Sequence, residues 1–287
     1  MSERRRAVAI AAIVLLGATP LSGGDISATH AGEYMTAPDQ PNVTRLAYGD
    51  DPAQFGDLWL PDNSTGPLPV VVLVHGGFWR AMYELDLMDP LAADLVARGY
   101  AVWNIEYRRV GMDGGGYPGT LTDVAAAIDH LPAMSAGPLD LDDVTFIGHS
   151  AGGHLAFWAA GRDRLPTGRP GSDPAVMPRL VIGQGPVGDL VAAAEAGAGN
   201  GAVIDLMGGT PDDLSEEYAS ANPHIGDAVQ VVVVRGSNDD IVAPDYTVPD
   251  SATPPTVIDV TGDDHFDLID PTSDSWARII KVVTHPN

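Results

Sequence analysis

The sequence predicts an α/β fold, a mostly parallel central sheet of about eight strands with helices on both faces. Eight short β-rich runs recur along the 287 residues, the later ones are hydrophobic without interruption, and helical patterns separate them. Uninterrupted apolar strands are buried on both faces, so helices must cover both sides of the sheet.

The first two runs, "VTRLAY" (43–48) and "FGDLWL" (55–60), alternate as an antiparallel pair does. "PVVVLVHGG" (69–77) follows and ends in paired glycines. A helix over 84–98 carries Leu87, Leu91 and Leu95 at helical spacing. Next come "YAVWNIEY" (100–107), a helix over 119–131, "DVTFIGHS" (143–150) and a helix over 151–161. The Pro/Gly/Arg-rich segment 161–178 reads as a surface loop. "RLVIGQG" (179–185) precedes a less regular helical stretch within 188–220, then "VQVVVVRGS" (229–237), "PTVIDVTG" (255–262) and a helix over 271–283 after Pro271. No linker is long or polar enough to split the chain. Residues 32–287 therefore form one domain, with 186–225 as a candidate small cap.

Fifteen Lys+Arg against thirty-nine Asp+Glu give a net charge of -24, and Lys281 is the sole lysine. Such a surface repels nucleic acid and anionic membranes, so neither is expected as a partner. With no cysteine the chain has no disulfide, thiolate nucleophile or cysteine metal site. The N-terminus reads as an address: "MSERRR", the apolar stretch "AVAIAAIVLLGA", and small residues Thr29 and Ala31 before a cut. A signal peptide over 1–31 predicts a secreted or cell-envelope protein with no membrane contact beyond the leader; translation from Met35 would make it cytoplasmic.

Residues 146–155, "FIGHSAGGHL", hold Gly148-His149-Ser150-Ala151-Gly152, a GxSxG pattern between a strand and a helix. Its glycines let the chain turn sharply while the serine projects its hydroxyl, which makes Ser150 a candidate nucleophile. A hydroxyl attacks only when a base takes its proton. Of eight histidines, His265 follows a late strand, in a loop leading to the last helix. His149 should point elsewhere from the strained turn, His154 lies on the following helix, and His75 ends a strand where it packs or braces a loop. A carboxylate must orient the base, and Asp239 or Asp240 stands directly after a buried strand in the order Ser, Asp, His. The developing oxyanion needs backbone donors: one from Ala151, another from "HGGFW" (75–79). Phe78 and Trp79 either line a pocket or fill core beside that loop.

With GHSAGG, HGGFW, GSNDDIVAP and DDHFDLID in this order, the chain from about residue 43 onward resembles the α/β-hydrolases. Within that superfamily it is similar to small esterases, lipases and arylformamidases with an HGGxW oxyanion motif. The segment "NIEYRRVG…GGGYPGTLTDVAAAIDHL" resembles the stretch those enzymes place between oxyanion loop and nucleophile strand. The resemblance implies a serine hydrolase with an acyl-enzyme intermediate and no metal or organic cofactor. By its GxxDxxV pattern, Gly236 to Val242 selects Asp239 as partner of His265 and Ser150, with Gly77, Phe78 and Ala151 as oxyanion donors. The departure is "APDYTVPDSATPP", proline-broken where relatives have a full helix. The expected substrate is a small-molecule ester or amide: a carboxylesterase on short-chain or aryl esters, alternatively an arylformamidase. A peptidase would need an acidic recognition site for the substrate amine, for which Glu106 is the candidate. A non-catalytic binding protein on the same fold is the reading from another class.

Overall fold

The computed structural model describes residues 42–62, 66–134 and 139–285. The leader predicted over 1–31 and the alternative start at Met35 lie outside the described residues. One sheet contains all eight expected strands: β1 (Val43–Ala47), β2 (Phe55–Trp59), β3 (Leu68–Val74), β4 (Ala101–Ile105), β5 (Leu139–His149), β6 (Leu180–Gln184), β8 (Gln230–Gly236) and β10 (Thr256–Val260). Their order is β1-β2-β4-β3-β5-β6-β8-β10. The β1–β2 and β2–β4 pairs are antiparallel and every later pair is parallel. This is the α/β-hydrolase fold.

The strand period of two divides the apolar side chains between two cores. Val70, Val72 and Val74 of β3 face one core, packed by α2 (Gly119–Asp129) and α3 (Ala151–Ala160). Val71 and Leu73 face the other, beneath α1 (Asp89–Ala97) and α7 (Asp274–Thr284). The parallel strands are apolar on both faces because both faces are buried. Helix α7 buries Trp276, Ile279, Ile280 and Val283 at helical spacing. Its start is set by Ser273, whose Oγ accepts from Trp276 N–H at 3.0 Å.

The less regular stretch within 188–220 resolves into three helices: α4 (Leu190–Glu195), α5 (Ala198–Met207) and α6 (Ser215–Ala221). Asp189 caps α4 by accepting from Val191 and Ala192 N–H at 2.9 and 3.1 Å. One long helix is broken because Gly197, Gly199, Asn200 and Gly201 all sit in the left-handed region, at φ 66, 60, 54 and 80. A regular helix resumes at Ala202. A two-stranded parallel pair, β7 (His224–Ile225) with β9 (Asp250–Ser251), lies apart from the main sheet. Between β8 and β10 the proline-broken segment forms a 3₁₀ turn at Pro244–Tyr246 and β9. Among the described residues no helix is long and apolar enough to cross a membrane.

Candidate active site

Ser150, Asp239 and His265 sit beyond the carboxyl ends of β5, β8 and β10, where loops converge without disturbing the sheet. Ser150 has φ 55 and ψ -120, a conformation that costs a β-carbon-bearing residue about 1–3 kcal/mol. The turn survives because glycines let backbones meet around it. A Cβ on Gly148 would fall 2.1 Å from the Gly152 carbonyl oxygen, and one on Gly152 would fall 2.2 Å from those of Val74 and His75. Ser150 N–H donates to Gln184 O at 2.9 Å, which pins the turn to β6.

His265 Nδ1 lies 2.7 Å from Asp239 Oδ2, while Asp239 Oδ1 accepts from Ile241 and Val242 N–H at 2.9 Å each. Burial opposes ionisation of Asp239, yet the hydrogen bond and charge of His265 and the two N–H donors hold its carboxyl below the usual range. An ionised Asp239 accepts the hydrogen bond of Nδ1–H, a tautomer that leaves Nε2 of His265 with its lone pair. Asp240 makes no hydrogen bond to His265. The pair closes only because Gly185, at φ 52, carries no side chain: a Cβ there would lie 2.9 Å from Asp239 Oδ2 and 3.1 Å from His265 Nδ1.

His149 points away from the cleft and into His265: its Nε2 donates to the His265 carbonyl at 3.0 Å, and the two rings are 4.5 Å apart. Burial, and then the neighbouring His265 charge, push its pKa down to about 3. His149 is therefore a neutral brace that ties the His265 loop to the Ser150 turn. His154, on α3, donates from Nε2 to Ala221 O at 2.9 Å, and burial pushes it down to about 4. Both rings titrate near 6.5 once unfolded. Because the folded values are depressed, the stability they contribute is complete above about 6.5 and is lost as pH falls toward 4 and then 3. Asp89, pushed up to about 7 by burial, gains stability over the same window, so the test is a difference: in urea unfolding the stability advantage of the parent over His154→Gln is expected to shrink by on the order of 2 kcal/mol between pH 7 and pH 5. An advantage that stays the same at the two pH values would contradict this.

Gly77, Phe78 and Trp79 take φ of 112, 57 and 55, three consecutive left-handed residues of which two carry bulky side chains. Strain of this kind persists only where surroundings over-determine it. The loop is held by Arg80 N–H to Gly77 O at 3.0 Å and Val110 N–H to Trp79 O at 2.8 Å. Among the described residues, the N–H groups of Gly77, Phe78 and Ala151 donate to no protein acceptor. Unused donors beside a strained serine can receive an anionic oxygen.

Beneath that loop lies a buried charge network that the sequence does not reveal. His75 Nε2 lies 2.9 Å from Glu106 Oε1 and His75 Nδ1 lies 2.8 Å from Gly76 O, so both ring nitrogens face acceptors. Glu106 also accepts from Tyr107 N–H and Leu85 N–H and pairs with Arg109 at 3.2 Å. His75, Glu106 and Arg109 are 0%, 2% and 2% exposed. Burial opposes the Glu106 charge, but His75, Arg109 and the Tyr107 N–H together hold its carboxyl below the ordinary range. Every Glu106 contact is internal, so this carboxylate cannot serve as the recognition site for a substrate amine.

Ser150 and Ala151 line a narrow cleft with Phe78 and Trp79. Trp79 is 2% exposed and in edge contact with His154, so it packs in the core beside the cleft that it lines. The opposite wall comes from α5, through Ala198, Gly199 and Ala202, and from the loop after Asp239.

The model of the BD-FAE family matches residues 56–249. The chain belongs to the BD-FAE family. This α/β-hydrolase of an esterase-like family is 36% identical over 121 residues to a probable isoprenylcysteine alpha-carbonyl methylesterase of Arabidopsis thaliana, covering 40% of this chain and 24% of that protein. It is 29% identical over 127 residues to the kynurenine formamidase of Drosophila melanogaster, covering 43% of this chain and 40% of that protein. The matches thus span between about a quarter and two fifths of these curated relatives. A truncated carbohydrate esterase from gut microbiota superposes with a TM-score of 0.72 at 17% identity, covering 87% of this chain and 98% of that one, a likeness of fold.

Proposed function

We propose that this protein is a serine hydrolase that cleaves carboxylic esters of small acyl groups through an acyl-enzyme. Ser150 Oγ attacks the ester carbonyl as His265 Nε2 takes its proton. The carbonyl oxygen becomes an oxyanion and draws hydrogen bonds from the N–H groups of Ala151, Gly77 and Phe78. Asp239 stabilises the imidazolium, which returns the proton to the leaving alcohol as the tetrahedral intermediate collapses. Water then repeats the sequence on the acyl-enzyme, releasing the carboxylic acid and restoring Ser150.

The observation that carries this reading is the 2.7 Å Asp239–His265 bond, joined through His149 to a serine held at φ 55. The esterase-like family supports the ester as substrate. The likeness to a kynurenine formamidase supports arylformamide hydrolysis as the second reading, since the same machinery cleaves either bond. The domain runs over 32–287 with 186–225 as a small cap.

The test is turnover of p-nitrophenyl acetate, butyrate and octanoate beside N-formylkynurenine, with enzyme inactivated by a phosphonate as the blank. Turnover of short esters and a single phosphonate adduct on Ser150 are expected. Preference for the formamide would select the second reading. No phosphonate-sensitive turnover of either class would leave a binding protein on this fold.

A further inference from the structure

The cleft beside Ser150 is narrow, and Ser150, Ala151 and Phe78 line it while His265 does not, so an ester that reaches both Ser150 and His265 meets two different surroundings. The leaving alcohol must reach His265 to be protonated, so it lies on the His265 side. There Phe266 stands 44% exposed, its ring 5.7 Å from that of His265 and nearly perpendicular to it. The acyl group is left with the cleft side.

That side is small for identifiable reasons. Its free space is about that of one or two water molecules. Gly199, at φ 60, backs directly onto the Phe78 ring: a Cβ on it would fall 2.6 Å from Phe78 Cδ1. Ala202, 1% exposed, forms the next step of the same wall. The wall is anchored to the oxyanion loop, since Arg80 Nη2 donates to Asp205 Oδ2 at 2.9 Å and to Asn200 O at 3.4 Å. Across the cleft, Ile241 and Val242 are held by the same N–H bonds that fix Asp239, so that wall cannot retreat without disturbing the carboxylate.

We infer that Phe78 and the α5 residues Gly199 and Ala202 set an acetyl-sized acyl limit, while exposed Phe266 offers a platform to an apolar, planar alcohol. The substrate class is thus a short acyl ester of an aromatic or similarly flat alcohol. This rests on the serine-hydrolase reading, and the two fail differently.

The experiment compares kcat/KM over p-nitrophenyl acetate, butyrate and octanoate for the unaltered protein, Phe78→Ala and Ala202→Val, with phosphonate-inactivated blanks. One methylene in an apolar pocket is worth roughly 10–200-fold in discrimination. The unaltered protein should fall at least tenfold from acetate to butyrate. Phe78→Ala should raise the octanoate-to-acetate ratio about tenfold or more, and Ala202→Val should lower the butyrate-to-acetate ratio by about as much. Phe266→Ala, a change at an exposed position that leaves the core intact, should lower the ratio of 2-naphthyl acetate to ethyl acetate about fivefold. Phosphonate-sensitive turnover with a flat acyl-length profile, or ratios within twofold across these variants, would overturn the inference while leaving the hydrolase standing. Turnover that the phosphonate does not block would overturn the reading beneath it.

Discussion

Ser150→Ala is expected to lower kcat on p-nitrophenyl acetate by on the order of 10⁶ while leaving the melting temperature within a few degrees of the parent. In the proposed mechanism the Ser150 hydroxyl forms the acyl-enzyme, and alanine keeps the φ 55 turn without adding bulk. Asp239→Asn should cost on the order of 10⁴, because asparagine presents an N–H where His265 Nδ1 needs an acceptor and so favours the wrong tautomer. Asp240→Asn should cost less than about threefold, its carboxylate having no bond to His265. Steady-state kcat and a burst titration of acyl-enzyme distinguish these variants. Near-normal turnover by Ser150→Ala would sink the mechanism, and a larger loss at Asp240 than at Asp239 would mean that the loop after β8 presents its other carboxylate.

The eight main strands were legible because burial on both faces leaves a mark in one dimension: "PVVVLV" and "VQVVVV" can only be the inside of a covered sheet. The pair β7–β9 was not legible, since two residues per strand carry no period. The break within 188–220 was present as "GAGNG", but glycine permits a helix as well as a left-handed turn, so the letters alone do not choose between them; in the structure Gly199 takes the turn and faces Phe78. The groups that meet at the site followed the same division. Ser150 sits in a local motif, and the loops of Asp239 and His265 directly follow recognisable strands. Gly185 matters only because two loops from β8 and β10 close over it, and His149 becomes a brace only through the carbonyl of a residue 116 positions away. Such relations exist in three dimensions alone.

The same holds for Glu106, where a substitution separates positioning from packing. Glu106→Gln leaves the buried Arg109 guanidinium without its anion and replaces the carboxylate that His75 Nε2 contacts with an amide. Breaking a buried pair from one side costs about 3–5 kcal/mol, so a large fall in melting temperature is expected. The depressed carboxyl sets the pH dependence: its contribution is complete above the unfolded value near 4.5 and is lost as pH falls through the lower folded one, so the parent approaches the variant only in acid. Stability alone does not exhaust its role. His75 precedes the three left-handed residues of the proposed oxyanion loop, and its ring, stacked 4.4 Å from Tyr107 and bonded to Gly76 O, holds the start of that loop. Losing one aligned oxyanion donor costs about 10²–10³ in kcat. At a temperature where Glu106→Gln remains folded, kcat is therefore expected to fall by about that factor with KM changed less than threefold, and Glu106→Asp should recover part of it. A variant that melts early yet keeps kcat within twofold would show that the network only fills and neutralises the core. A loss in KM alone would show that it shapes the cleft rather than the anion site. The predicted split toward kcat follows from where the strain lies: the donors at Gly77 and Phe78 bond nothing in the resting protein, so an error in their position is felt only when an oxyanion forms between them and Ala151.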